Sequence, residues 1–175
     1  MTARGIKPII ATVASVLIMT SCLEIEKLPP EPRIEFRSFV ISDTTDILGN
    51  DAKAGKLTFY FEDGDGDIGL SSGYSGVTET HNLFLVLYRK TEGVMLPAEP
   101  LDPLYPSPYR IPHLERLGQN KILKGEITVT ILYDFYETGD TIMYDFYVRD
   151  RATNESNIES TCEIPVAVNG IYTGG

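Results

Sequence analysis

The chain has 175 residues, with 25 acidic against 15 basic side chains and a formal net charge of −10 at pH 7. An acidic surface of this kind excludes a nucleic-acid partner and any direct attraction to anionic lipid headgroups. Two histidines, two cysteines and no tryptophan leave little material for catalytic or disulfide chemistry.

Residues 1–21 have the anatomy of an export signal. Arg4 and Lys7 form a basic start, Ile9 to Met19 is an uncharged run of small and apolar residues, and Thr20-Ser21 leads into Cys22. Eleven apolar residues are too few to cross a hydrocarbon core of about 30 Å, so the run reads as a cleaved signal and not as a membrane span. The ending MTSC resembles the lipobox of bacterial lipoproteins, in its Bacteroidetes-type version with Ser before the Cys. That resemblance implies lipid modification of Cys22. Because Leu23 is not the Asp that retains such proteins in the inner membrane, it also implies an outer-membrane location, facing the periplasm or the cell surface. Removing residues 1–21 takes the 15 basic residues to 13 against 25 acidic ones, a net charge of −12 on an ordinary single-domain length. Residues 22–32 then form a tether, whose three prolines favour an extended polyproline chain. With Cys22 consumed by lipid, Cys162 has no partner for an internal disulfide.

A period of two governs the rest. Arg33 to Ser42 reads as a first strand whose register shifts near Ser38. In Lys56 to Glu62, Leu57, Phe59 and Phe61 share one face, with Lys56, Thr58, Tyr60 and Glu62 on the other. This strand runs into Phe61 to Gly69, FEDGDGDIG, where Glu62, Asp63, Asp65 and Asp67 crowd together. Carboxylates this close repel, and something must offset that. Gly64 and Gly66 permit positive φ, so that carboxylates and carbonyls turn towards one point, and an all-oxygen set suits Ca²⁺. An exposed acidic hairpin turn is the plainer reading, since Asp-Gly is a common turn dipeptide. The spacing is not that of an EF-hand, because the positions needing Gly and Glu hold Ile68 and Tyr74.

Asn82 to Lys90 is apolar on both faces, as a central strand is. Thr91 to Asn120 is a long connection with six prolines, in which Tyr105, Tyr109 and Arg110 offer either ligand contact for a sugar or protein, or a stiff cover over a sheet edge. Within it, His113 to Gly118 is the best short-helix candidate. Three further strands are expected: Gly125 to Tyr133, Thr141 to Asp150, and Asn157 to Val168 with Ile158, Cys162, Ile164, Val166 and Val168 on one side. Cys162 reads as a small buried hydrophobe.

The predicted fold is all-β, a single immunoglobulin-like antiparallel β-sandwich of about seven strands over residues 33–169, with a short tail at 170–175. Tyr144 reads most simply as a buried core tyrosine, which is compatible with its forming the tyrosine corner of such folds. FYVRDRATNES, Phe146 to Ser156, is similar to the end of bacterial immunoglobulin-like and cadherin-like domains, although the Trp and paired Cys of antibody domains are absent. The resemblance implies that the acidic loop and the turn holding Asp150 and Asn154 lie at one end of the sandwich, where those two residues would complete a calcium cage. The alternative is that Asp150 and Asn154 cap their own turn.

No Gly-flanked nucleophilic Ser, helical His pair or phosphate-cradling loop is present, and His81 and His113 read as ordinary loop residues. The expectation is a lipid-anchored, non-enzymatic envelope protein for binding or assembly, with a protein or glycan partner. A carbohydrate-binding module is the alternative.

Overall fold

The computed structural model describes residues 28–70, 81–114 and 121–174. The signal segment, Cys22 and most of the short-helix candidate, at 115–118, lie outside them. Among the described residues there is no helix, and nine strands form two antiparallel sheets packed as a sandwich.

The strands are β1 (Arg33–Thr45), β2 (Asp51–Asp63), β3 (Leu83–Thr91), β4 (Val94–Pro97), β5 (Leu123–Tyr133), β6 (Thr141–Val148), β7 (Glu159–Ser160), β8 (Ile164–Pro165) and β9 (Gly170–Tyr172). One sheet has the order β5-β2-β1-β9; the other runs β4-β3-β6-β7, with β8 also paired to β6. The excess over seven strands comes from the last three, none longer than three residues.

The alternation expected from the sequence places the core. Leu57, Phe59 and Phe61 of β2 are buried, as are Ile142, Tyr144, Phe146 and Val148 of β6. The two sets meet across the sandwich, with the Phe59 and Phe146 rings 5.4 Å apart and Phe39 stacked on Tyr144 at 6.1 Å. Each such side chain contributes about 1.5–3 kcal/mol when fully buried. The register shift expected near Ser38 is present, falling between Phe36 and Ser38.

β3 is a central strand, as expected, paired with β4 on one side and β6 on the other, and its two faces differ: Leu83, Leu85 and Leu87 face the core, while Phe84 stacks on Tyr147 on the outer face and Val86 is exposed. One expectation is corrected. The strand expected over Asn157 to Val168 is broken. Pairing of β6 with β7 (Asp145↔Ser160) and with β8 (Ile142↔Ile164) differs by one residue, so a bulge at 161–163 flips the side-chain alternation. The Thr161 hydroxyl accepts the Tyr144 amide there, at 3.0 Å. Ile164 and Val166 therefore point inward, whereas Ile158 and Val168, at the far ends of the expected stripe, are exposed and Cys162 is half-buried. Tyr144 is a core residue, in line with the plainer of its two readings. Its hydroxyl lies 3.0 Å from that of Tyr133 and 3.4 Å from the Leu104 carbonyl, far from any local corner.

The phenol pair links β5 to β6 through the core, so truncating one partner strands the other. Tyr144→Phe is expected to cost about 1–3 kcal/mol because the buried Tyr133 hydroxyl loses its partner. Adding Tyr133→Phe should recover part of that loss in denaturant melts. Strictly additive losses would contradict this account.

Candidate functional site

β2 delivers the acidic loop. Its alternation carries Asp63 inward, next in phase after Phe61, and Asp63 is fully buried. Its carboxylate folds the loop: Oδ1 accepts the Gly66 amide at 3.1 Å and Oδ2 the Ile68 amide at 2.7 Å. Ile68 is drawn into the core by this turn. Gly66 has φ of +67°, as expected, but Gly64 does not adopt a positive φ. Its lack of a side chain serves a close approach, because a Cβ there would sit 2.2 Å from the Pro29 carbonyl oxygen. The acidic loop is thus packed on the end of the tether.

Asp63, Asp65 and Asp67 present one oxygen each, all within 4.8 Å of one another. Burial pushes the Asp63 carboxyl up and the amides of Ile68 and Gly66 hold it down, with Asp65 raising it again. Asp67 is pushed up to about 6 by burial and then by the charges of Asp150, Asp65 and Asp63. Its Oδ2 accepts the Ala152 amide at 3.0 Å, whereas Oδ1 is buried without a hydrogen-bond partner.

The turn at 150–154 therefore does lie beside the acidic loop, and the two are joined further by Arg151. Its amide reaches the Asp67 carbonyl at 3.4 Å and its Nη1 donates to the Gly69 carbonyl at 2.8 Å, also lying 2.8 Å from His113 Nδ1. Asp150 and Asn154 close their own turn: both Asp150 oxygens accept from Asn154, one from its amide and one from its side chain, each at 2.8 Å. Asp150 adds negative charge next to Asp67 and is already hydrogen-bonded on both oxygens.

Glu62 lies outside the group. It falls on the outer face of β2, where it accepts from the Tyr60 hydroxyl at 3.1 Å and pairs with Lys124 at 3.5 Å. Over its described residues the long connection packs on the sandwich, and the tyrosines expected as ligand contacts are half-buried against the core. Tyr109 exchanges backbone hydrogen bonds with Leu83, Leu104 and Ile111 are buried, and Tyr105 and Tyr109 pack against the core. Arg110 Nη2 donates to the Leu70 carbonyl at 3.0 Å. Sequence reasoning missed Arg151, His113 and Asn82, which pin the loops together; Asn82 Oδ1 accepts the Ile111 amide at 2.7 Å. Only Arg151, one position after Asp150, carried a local signal.

Comparison of the chain with protein-family models, with curated proteins and with solved structures gives no match.

Asp67 makes a pH prediction with a definite sign. A carboxyl whose folded pKa is raised from 3.8 to about 6 destabilises the fold above that range, and the penalty disappears as pH falls below the unfolded value. In chelator, Asp67→Asn should melt above wild type at pH 7, and the difference should vanish near pH 4. A difference independent of pH would refute the assignment.

Proposed function

We propose that this chain is a lipid-anchored, non-enzymatic binding or assembly protein of the outer membrane, carried on an immunoglobulin-like sandwich and stabilised by one Ca²⁺ ion in the acidic loop. The metal reading rests on the gathering of Asp63, Asp65 and Asp67 oxygens within 4.8 Å. A Ca²⁺ shell with ligands at 2.3–2.6 Å is about 5 Å across, so the three fit around one ion without opening the loop. The ion would also supply a partner to Asp67 Oδ1 and remove the mutual repulsion of the carboxylates.

Strand order supports the immunoglobulin-like assignment. β1, β2 and β5 share one sheet and β3, β6 and β7 the other, which matches strands A, B, E and C, F, G of that architecture in chain order. β4 is then an added strand beside β3, and no strand D occurs among the described residues. The anchoring part rests on the signal-like segment and Cys22. The carbohydrate-binding alternative loses its exposed aromatic platform now that Tyr105 and Tyr109 pack inward. A glycan array separates it from an assembly role.

At ten times its Kd, calcium should stabilise the fold by about 1.4 kcal/mol, a rise of a few degrees in Tm relative to chelator. Asp65→Ala should abolish the rise. Equal melting of wild type with calcium and with chelator would remove the metal from the account. Separately, Cys22→Ser should move the protein from the membrane fraction to the soluble envelope fraction, and unchanged membrane association would remove the lipid anchor.

A further inference from the structure

The end of the sandwich opposite the acidic loop holds a cleft that the metal reading leaves unused. β1 runs 13 residues, roughly 40 Å at about 3.3 Å per residue, from the acidic-loop end to a hairpin tip at 46–50. At that far end lies an open cavity of about 480 Å³, lined by Asp51 from the start of β2, Arg89 near the end of β3, and Asp134, Phe135, Tyr136 and Glu137 from the turn between β5 and β6. Its volume falls in the range of ordinary ligand sites.

Two observations give the cleft a chemistry. The Arg89 guanidinium on its wall is already held between two carboxylates, by Asp102 at 3.0 Å and by Asp140. Asp51, Asp134 and Glu137 make no ion pair among the described residues, so they leave the cleft strongly negative. A cleft with one sign of charge concentrates the opposite one. Independently, Phe135 is 75% exposed at the lip and Tyr136 stands beside it. An aromatic face beside unpaired carboxylates suits an organic cation, attracted by the charges and by the ring. The same end also exposes Ile47, Leu48 and Leu101 at 82–99%, an apolar rim for a larger partner.

We propose that this cleft receives a lysine or arginine side chain of a partner protein, with Asp51, Asp134 and Glu137 supplying charge and Phe135 stacking on the cation. The inference rests on the binding-protein reading and names its partner class. It is independent of the calcium site, so either can fail alone.

The test is an NMR titration of the purified protein with acetyl-Gly-Arg-Gly-amide and acetyl-Gly-Lys-Gly-amide, with acetyl-Gly-Gln-Gly-amide and a neutral oligosaccharide as comparisons. Saturable shifts confined to residues 51 and 134–140 are expected with the two cationic peptides only. Phe135→Ala and the double change Asp134→Asn/Glu137→Gln should each weaken them about tenfold or more, while Glu31→Gln, remote from the cleft, should not. A thermal melt of each variant against wild type in the same buffer reports its folding. Binding of the Gln peptide or the sugar at equal strength, diffuse shifts over the whole acidic surface, or unchanged affinity in folded cleft variants would each overturn the proposal.

Discussion

A single buried carboxylate sets the shape of the acidic end. Asp63 is fully buried at the point where β2 stops, and the cost of burying its carboxyl, which raises its pKa, is offset in part by two backbone amides, of Gly66 and Ile68, that donate to it. Those two bonds curl the loop and return Ile68 to the core. They also bring the Asp65 and Asp67 carboxylates against Asp63. The same staple that gives the loop its form therefore creates its electrostatic problem.

Around this staple the surrounding segments are locked to one another. The 109–113 segment is bonded to Leu70 and Asn82, the 150–154 turn to Asp67 and Gly69, and the tether backbone packs on Gly64. Arg151 opposes part of the negative charge and Asp150 adds to it. We read a divalent cation as the remaining stabilising element. On the reading proposed above, the two ends of the sandwich have separate work, one holding the fold together and the other presenting a cleft.

Much of this was legible in the residues. The alternation in β2 and β6 is clean because each strand buries one face only, and the acidic loop was visible as a cluster. That same alternation assigned Glu62 to the outer face of β2, so its exclusion from the carboxylate group could have been read from Phe61 and Asp63. The bulge at 161–163 could not, since a one-residue shift leaves no mark in composition and puts Ile158 out of phase with Ile164 and Val166, while Val168 leaves the stripe in the turn after β8. β3 read as central and is so, between β4 and β6; its outer face is apolar because Phe84 stacks on Tyr147 across the strands, while Val86 stays exposed. The tyrosines of the long connection are apolar enough to fill a core and polar enough to look like a binding surface. The contacts of the fold decide between the two, as they do for Arg151 on the Gly69 carbonyl, 82 positions away.

The central claim is that Asp63, Asp65 and Asp67 together hold one Ca²⁺ ion. Isothermal titration calorimetry of the chelator-stripped protein with CaCl₂ tests it most directly. The account predicts one ion per chain, with an affinity in the range of about 10⁻⁴–10⁻³ M typical of extracellular modules, and loss of that binding in Asp65→Ala. Absence of saturable heat in wild type, or the same isotherm in the variant, would contradict it.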